Sequence, residues 1–270
     1  MYATARAISR RCGAPLKLNI ANFSRDHLFQ RRFLLDRFCT QAEVLPQITV
    51  TLAEQMFRRL EKRWYSRRPF EDRRVIYEEK RSFDSRLRTV EIKKKTTLDG
   101  YWQSYKYFAD VGDNLKSELV PRALRSGESV ALREEVSNTE SVAIHARVIW
   151  DPRSRRAEAP KTLTPEYYYA AAERLANKVV KPRLFVFSDC PEWAKRHLRL
   201  PWATHFVVEG DELEQFDIMR NCRHFIISNS TYSWWAAWLG SHSEKKIYAP
   251  SAVQFDNQDI LPDDWVQVVT

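Results

Sequence analysis

Residues 226–235 read IISNSTYSWW, an apolar run joined to an aromatic stretch by four small polar residues. The apolar run predicts a buried strand over Phe225–Ile227, and the aromatic stretch predicts a helix over Thr231–Leu239. Helix capping alone would need one hydroxyl or amide side chain, whereas four stand in a row from Ser228 to Thr231. Hydroxyls and unpaired backbone N–H groups at such a junction can bind an anion without glycine. The block therefore predicts an anion-binding strand–helix unit, which we favour over simple capping.

The same alternation of strand and helix continues through the second half of the chain. Apolar runs predict further strands at Val142–His145, Leu184–Phe187 and Ile247–Tyr248. Further helices are predicted to begin after the capping hydroxyl of Thr164, at Pro191 and at Asp211. Alternation of this kind indicates a parallel sheet flanked by helices, with a ligand crevice at the carboxyl ends of the strands.

The first half of the chain has a weaker pattern. It predicts a helix over Ala3–Arg11, a strand over Leu16–Ile20, a basic helix over residues 51–65 and an aromatic helix from Tyr101 to Phe108. Residues 121–140 are polar and irregular, and we interpret them as a linker. The prediction is an α/β protein of two lobes with a cleft between them: residues 1–120 on the acceptor side, and 141–270 as the ligand-binding lobe.

Composition excludes several classes of protein. Of 270 residues, 44% are hydrophobic and 29% are charged, as in an ordinary globular chain. Glycine occurs 6 times, where average usage would give about 19. Neither a G-x-G-x-x-G nor a Walker A loop is present, so a bound phosphate must lie at a helix N-terminus or on arginine. The four cysteines form no C-x-x-C pair, which disfavours zinc and redox sites and favours a reducing compartment.

The net charge of +9 is concentrated in residues 58–95. This stretch is interpreted either as solvated surface or as a patch that faces an anionic phospholipid surface or a lipid-pyrophosphate acceptor. Binding of nucleic acid is disfavoured, because acidic residues are interleaved with the basic ones. No apolar run approaches the roughly 18 residues that span a bilayer, so we expect a cytoplasmic protein, with peripheral membrane attachment as a variant.

Charged side chains follow two other predicted strands. Arg147, in His145-Ala146-Arg147, offers a planar fork that can hold a phosphate, or it makes a structural ion pair beside a core histidine. Asp189 follows Ser188 after the next strand along the chain. Its carboxylate either accepts two hydrogen bonds from a guanine edge or caps the helix at Pro191.

Taken in order, the motifs H-x-R, F-S-D and D-x-M-x-x-C-x-x-x-I-I-S-N-S-T-Y-S-W-W-A-A-W-L resemble the bacterial α-1,2-fucosyltransferase family, glycosyltransferase family 11. The third motif runs from Asp217 to Leu239. Residues 98–108, with L-D-G-Y-W-Q-S and Y-F, resemble the central block of the family. Residues 14–16 and 42–46 resemble its early segments, so the likeness covers nearly the whole chain.

The resemblance implies a GT-B-like fold with two Rossmann-type lobes and inverting transfer of L-fucose from GDP-fucose, without a bound metal. The acceptor would be a hydroxyl, such as galactose O2, of a glycan or lipid-linked saccharide. Arg147 would hold the donor pyrophosphate and stabilise the leaving GDP, and Asp189 would bind guanine. Further donor contacts are implied for Ser188, Asn229, Ser230, Thr231 and Ser233.

Three features of the resemblance leave alternatives open. The acceptor hydroxyl requires a general base, for which His145, Asp151 and carboxylates of the first lobe are candidates. Val148 stands where the family has a second arginine, although related protein O-fucosyltransferases use one. The family opens with a strand and a glycine-rich loop, and Met1 stands after that point, so the first lobe is expected to lack its opening strand. We expect a late start, and a truncated, catalytically silent GDP-sugar or glycan binder is the alternative.

Overall fold

The computed structural model describes residues 1–23, 32–46, 64, 68–92, 95–122, 126–149 and 161–269. The chain forms two compact units. The N-terminal unit comprises Met1–Asp36, Thr40–Glu118 and Asn257–Ile260. The C-terminal unit comprises Arg37–Cys39, Leu119–Asp256 and Leu261–Thr270. Two short segments belong to the unit that is distant in sequence: Arg37–Cys39 to the C-terminal unit and Asn257–Ile260 to the N-terminal unit. The chain therefore passes between the units more often than the predicted boundaries at residues 120 and 141 suggest.

The N-terminal unit has short elements. Its helices and strands are α1 (Tyr2–Cys12), β1 (Lys17–Leu18), β2 (Glu43–Val44), β3 (Val75–Tyr77), α2 (Arg86–Thr89), β4 (Thr97–Asp99) and α3 (Gly112–Glu118). Strand β1 pairs in parallel with β2, and β3 pairs in parallel with β4. The described residues of this unit thus form two two-stranded sheets instead of the single Rossmann-type sheet expected of the lobe.

Two helix predictions for this unit have different outcomes. Helix α1 extends the predicted Ala3–Arg11 by one residue at each end. The predicted helix from Tyr101 to Phe108 is wrong: the segment contains only a 3-10 turn at Tyr105–Tyr107. Trp102 has a φ of 53°, a left-handed conformation that cannot continue an α-helix. Apart from Trp64, the predicted basic helix over 51–65 lies outside the described residues.

The C-terminal unit contains the predicted parallel sheet. Its strands are β5 (Ser141–Ala146), β6 (Arg183–Ser188), β7 (Thr204–Phe206), β8 (His224–Ile226), β9 (Ile247–Pro250) and β10 (Val266–Val268). All six are parallel, in the order β10-β9-β8-β5-β6-β7. Strands β5, β8 and β9 are buried throughout, which explains their mostly apolar sequences. The predicted α/β class with parallel strands is confirmed.

Five helices accompany this sheet among the described residues. They are α4 (Gly127–Asn138), α5 (Pro165–Ala176), α6 (Pro191–His197), α7 (Glu212–Arg220) and α8 (Thr231–Leu239). Helix α8 has the predicted bounds, and Asp211 caps α7 through a capping box with Glu214. Thr164 occupies the N-cap position of α5, but its hydroxyl does not bond the helix backbone, contrary to the predicted cap.

The segment predicted as a linker, residues 121–140, contains α4. Ser126 accepts a hydrogen bond from the Ser129 amide, and Leu132 and Val136 are buried. The polar residues that suggested a linker lie on the other faces of this helix. The two buried apolar residues anchor the helix to the C-terminal unit. No described helix is both long and apolar enough to cross a membrane.

The sheet reverses its direction of winding beside β5. Strands β6 and β7 continue to one side of β5, and β8, β9 and β10 continue to the other. In open parallel sheets, ligands bind at the carboxyl ends of the strands that flank such a switch point. The gap between the ends of β5 and β8 is therefore the expected place for a ligand.

Candidate functional site

Three of the predicted motifs meet at the switch point. Arg147 immediately follows β5, whose Ile144 is in register with Ile226 of β8. The small polar residues 228–231 follow β8 and lead into α8. Asp189 immediately follows β6, the other neighbour of β5. The sequence prediction that these residues share one edge of the sheet is confirmed.

Arg147 and Asp189 form an ion pair. The Arg147 Nη1 atom lies 3.0 Å from Asp189 Oδ2, and the two side chains are 34% and 21% exposed. Oδ1 of Asp189 also accepts a hydrogen bond of 2.8 Å from the Val148 amide, and Oδ2 accepts one of 3.0 Å from the Ile149 amide. Asp189 thus holds both the guanidinium and the backbone turn that carries it.

The alternative role considered for Asp189, capping of α6, is wrong. The N-cap of α6 is Cys190, and no side chain caps it. The predicted contact of Asp189 with guanine stays a prediction. Val148, which replaces a second arginine of the family motif, is completely buried. A guanidinium at this position would have to leave water, which is costly without a partner.

His145 is a core residue. Its Nδ1 atom lies 2.8 Å from Ser228 Oγ, and its ring centroid lies 5.4 Å from that of Tyr232. Burial, together with the positive charge of Arg147, lowers the pKa of His145 to about 3. The predicted role of His145 as a general base is therefore disfavoured, because such an imidazole binds a proton weakly and is shielded from solvent.

Asn229 joins three loops at this edge of the sheet. Its Nδ2 donates hydrogen bonds of 2.9 Å to the Lys161 carbonyl and 3.3 Å to the Gln254 carbonyl. Its Oδ1 is buried, and the described residues offer it no hydrogen-bond partner. The amide that the resemblance assigns to donor binding thus has a structural role here.

Three of the four predicted serine and threonine contacts also have internal partners. Ser188 Oγ donates to the Ala146 carbonyl, at 2.9 Å. Ser233 is completely buried, and its hydroxyl donates to the Ser230 carbonyl, so a direct contact with a ligand would require a rearrangement. Ser230 caps α8 through a long bond of 3.4 Å from the Tyr232 amide, and Thr231 is exposed. Of these four residues, Thr231 is therefore exposed, Ser188 and Ser230 are half-buried, and Ser233 is buried.

Two tyrosines that the sequence did not single out make hydrogen bonds around α8: Tyr167 bonds the segment before it, and Tyr232, within α8, bonds the first residue of α7. Tyr232 donates a hydrogen bond of 2.6 Å to the Glu212 carbonyl, and Tyr167 donates one of 2.6 Å to the Ile227 carbonyl. Burial raises the pKa of both phenols. The signal available for Tyr232 was its place in residues 226–235, where it is an aromatic residue directly after four small polar ones. Tyr167 carried no signal beyond its helical spacing.

The remaining predictions concern residues with less structural information. Asp151 lies outside the described residues. In the described part of the basic segment, Arg73 pairs with Glu79 at 3.0 Å and Arg86 pairs with Asp84 at 2.6 Å, so much of this charge is balanced. Among the described residues, no group of three or more His, Cys, Asp or Glu side chains could hold a metal ion.

Comparison with known proteins gives a match over most of the chain. The family model described as Glycosyl transferase family 11 matches residues 33–269. An Alpha-1,2-colitosyltransferase from Escherichia coli is 27% identical over 188 residues, which cover 66% of this chain and 64% of that protein. The O-antigen biosynthesis glycosyltransferase WbnK from Escherichia coli is 30% identical over 120 residues, which cover 42% and 39%. The chain thus spans less than two thirds of the length of these curated relatives.

Solved structures give a weaker likeness. The E. coli ADP-heptose lps heptosyltransferase II has a TM-score of 0.45 and 12% identity, with 100% of this chain and 85% of that chain covered. The glycosyl transferase family 9 structure from Veillonella parvula has a TM-score of 0.46 and 8% identity, with 100% and 82% covered.

Proposed function

The chain belongs to glycosyl transferase family 11, and on that premise we propose that it transfers L-fucose from GDP-fucose to a saccharide hydroxyl. In this proposal the acceptor is galactose O2 of a glycan or lipid-linked saccharide, and the transferred carbon is inverted. The observation that supports it most directly is the position of Arg147 and the α8 N-terminus on the two neighbouring strand ends of the switch point.

Arg147 is the proposed ligand of the donor diphosphate. Its guanidinium is one-third exposed, and its planar fork can donate two hydrogen bonds to phosphate oxygens. The ion pair with Asp189 limits the orientations of the guanidinium, so less conformational entropy is lost on binding. In this proposal a diphosphate binds the guanidinium beside its contact with Asp189.

Helix α8 contributes the second positive region. It has nine residues, and its N-terminal N–H groups carry the partial positive charge of the helix dipole. Ser230 and Thr231 add hydroxyls at the same end. In the reaction, the bond between the sugar carbon and the diphosphate oxygen breaks, and its electron pair stays with GDP. Arg147 and the α8 N-terminus would stabilise that developing charge.

The acceptor side of the reaction requires a base. The acceptor oxygen forms the new bond to the sugar carbon, and its proton passes to a carboxylate or imidazole. With His145 disfavoured by burial, we assign this role to a carboxylate. Asp151 and the carboxylates of the N-terminal unit are the candidates.

Two alternatives have a specific motivation. The name of the E. coli relative suggests colitose as the transferred sugar. The replacement of the second arginine by Val148 suggests a protein that binds a GDP-sugar or glycan without turning it over. Both alternatives keep the donor at the same switch point.

A donor screen with product analysis tests the proposal. Purified protein is incubated with galactosides and with GDP-fucose, GDP-colitose or UDP-sugars, and the product linkage is determined by NMR. We expect an α-1,2-fucosylated galactoside. Transfer from GDP-colitose alone would replace the donor. Binding of GDP without transfer or donor hydrolysis would favour the silent binder.

A further inference from the structure

The turn that follows β4 in the N-terminal unit is held by a dedicated carboxylate. Oε2 of Glu78 accepts a hydrogen bond of 2.7 Å from the Tyr101 amide, and Oε1 accepts one of 2.9 Å from the Trp102 amide. The Glu78 amide in turn donates 2.9 Å to the Asp99 carbonyl. Glu78 immediately follows β3, so the end of one strand supports the turn at the end of its neighbour.

The backbone of this turn is strained. Trp102 has a φ of 53°, which is a rare and unfavourable conformation for a bulky residue. A Cβ atom on Gly100 would lie 2.4 Å from the Glu78 Cβ, so only glycine fits between the turn and its support. Trp102 is 1% exposed, and its Nε1 has no hydrogen-bond partner among the described residues. Packing of this tryptophan keeps the strained turn in place.

The turn that these contacts hold carries one exposed aromatic side chain. Tyr101 is 60% exposed, although both neighbours in the turn are constrained. A single exposed aromatic residue is unremarkable in a loose loop. Here its backbone is held by a carboxylate, a glycine without space for a side chain, and a buried tryptophan. Asp99, on the other side of Gly100, is also exposed.

The turn lies at a place where α/β folds commonly bind ligands. It lies at the carboxyl end of a parallel strand pair, the end at which α/β folds bind ligands. An exposed tyrosine ring on a backbone held in this way can cover the apolar C–H face of a sugar and leave the sugar hydroxyls free for other partners. A neighbouring carboxylate can accept hydrogen bonds from those hydroxyls.

We propose that the turn at residues 99–102 is a saccharide-binding element, with Tyr101 as the stacking residue and Asp99 as a hydroxyl acceptor. The proposal rests on the proposed function only in identifying the saccharide with the acceptor of the transfer. Glu78 is a positioning residue, because it acts through the turn and not on the sugar.

The test compares substitutions at Tyr101 with a control in the same unit. The probe is methyl β-D-galactopyranoside, followed by saturation-transfer NMR, and GDP affinity is measured in parallel by calorimetry. We expect Tyr101→Ala to weaken binding of the galactoside about fivefold or more and Tyr101→Phe to stay within about twofold of the wild type. Phe23→Ala, which removes another exposed aromatic of this unit, should bind like the wild type.

The following outcomes would overturn the proposal. Wild-type protein that does not bind the galactoside, or Tyr101→Ala protein that binds it normally, would exclude a stacking role. A loss of GDP affinity in Tyr101→Ala with unchanged galactoside binding would mean that the ring stacks on a base. Thermal melting of each variant identifies misfolding, and Tyr101→Leu, which keeps apolar bulk but not the ring, gives a second comparison.

The failure of the proposed function can be distinguished from the failure of this inference. If no donor supports transfer but galactoside binding still depends on Tyr101, the saccharide element stands and the transfer proposal fails. If transfer occurs and the KM for the acceptor is unchanged in Tyr101→Ala, the transfer proposal stands and the saccharide element fails. The Glu78→Gln variant should weaken galactoside binding less than Tyr101→Ala, since it loosens the turn and keeps the ring.

Discussion

His145 Nδ1 lies 2.8 Å from Ser228 Oγ, and the two residues belong to different strand ends on either side of the switch point. His145 is the fifth residue of β5, and Ser228 is the second residue after β8. Both side chains are buried. The bond thus joins the strand that leads to Arg147 to the loop that leads to α8, which are the two groups proposed to hold the diphosphate.

The burial of His145 predicts a pH dependence of stability. Its folded pKa of about 3 lies below the unfolded value of 6.5, so between these values the unfolded chain binds more protons. Stability should therefore fall as the pH is lowered, by roughly 2 kcal/mol from this group between pH 7.5 and 5. Urea unfolding at both pH values measures it.

His145→Gln should remove this part of the pH dependence, whereas His242→Gln, on the half-exposed loop after α8, should keep it. An unchanged dependence in His145→Gln would mean that the imidazole is not the group responsible. His224 also has a lowered pKa from burial, so some dependence should remain in either variant.

Arg147 should dominate the affinity for GDP. Arg147→Ala removes the charged donor and is expected to weaken GDP binding by about 1.5–3 kcal/mol. Arg147→Lys should restore only part of the affinity, because a lysine cannot reproduce the planar fork. Calorimetry measures both, with Arg196→Ala, an exposed arginine in the last turn of α6, as the matched control. Unchanged affinity in Arg147→Ala would refute the assignment.

Asp189 should contribute to stability as well as to the orientation of Arg147. Asp189→Asn removes the charge and leaves one oxygen for two backbone amides and a guanidinium. We expect a loss of about 1–3 kcal/mol in the free energy of unfolding, measured with urea. Asp264→Asn, at an exposed site, should leave stability unchanged. If both variants unfold alike, the contacts of Asp189 are energetically neutral.

Transfer activity should not depend on a metal ion. The proposed site neutralises the leaving diphosphate with an arginine and a helix N-terminus, which perform the task that a divalent cation performs elsewhere. Rates measured with and without EDTA are therefore expected to agree. A loss of activity on chelation that manganese restores would show that the leaving group is stabilised differently.

Part of this site could be predicted from local sequence. The apolar runs at β5, β6, β8 and β9 and the polar residues after them indicated parallel strands whose ends carry function. The short strands β7 and β10 were not predicted, because each has three residues, which are half-exposed in β7 and mostly exposed in β10 and carry too little apolar pattern. Helix α4 was mistaken for a linker, because only a few of its positions are apolar.

The partners of the predicted residues depended on the fold. Asp189 had been considered as a guanine ligand or a helix cap, and it holds Arg147 and two amides that are about 40 residues away in sequence. The strained turn at Trp102 gave no helix-breaking signal of its own, since its conformation is imposed by Glu78 and by packing. Contacts of this kind join segments that no local pattern connects.

By itself, the sequence determined the strand–helix alternation of the second half, the bounds of α8 and the types of residue at the strand ends. These follow from local properties: apolar periodicity, capping preference and the absence of glycine loops. Only the tertiary structure decided that His145 is neutral and bonded to Ser228, that Val148 is buried, and that Tyr101 is held out to solvent. The physical reason is that burial and pairing depend on which strand ends become neighbours, and that depends on the order of the strands in the sheet.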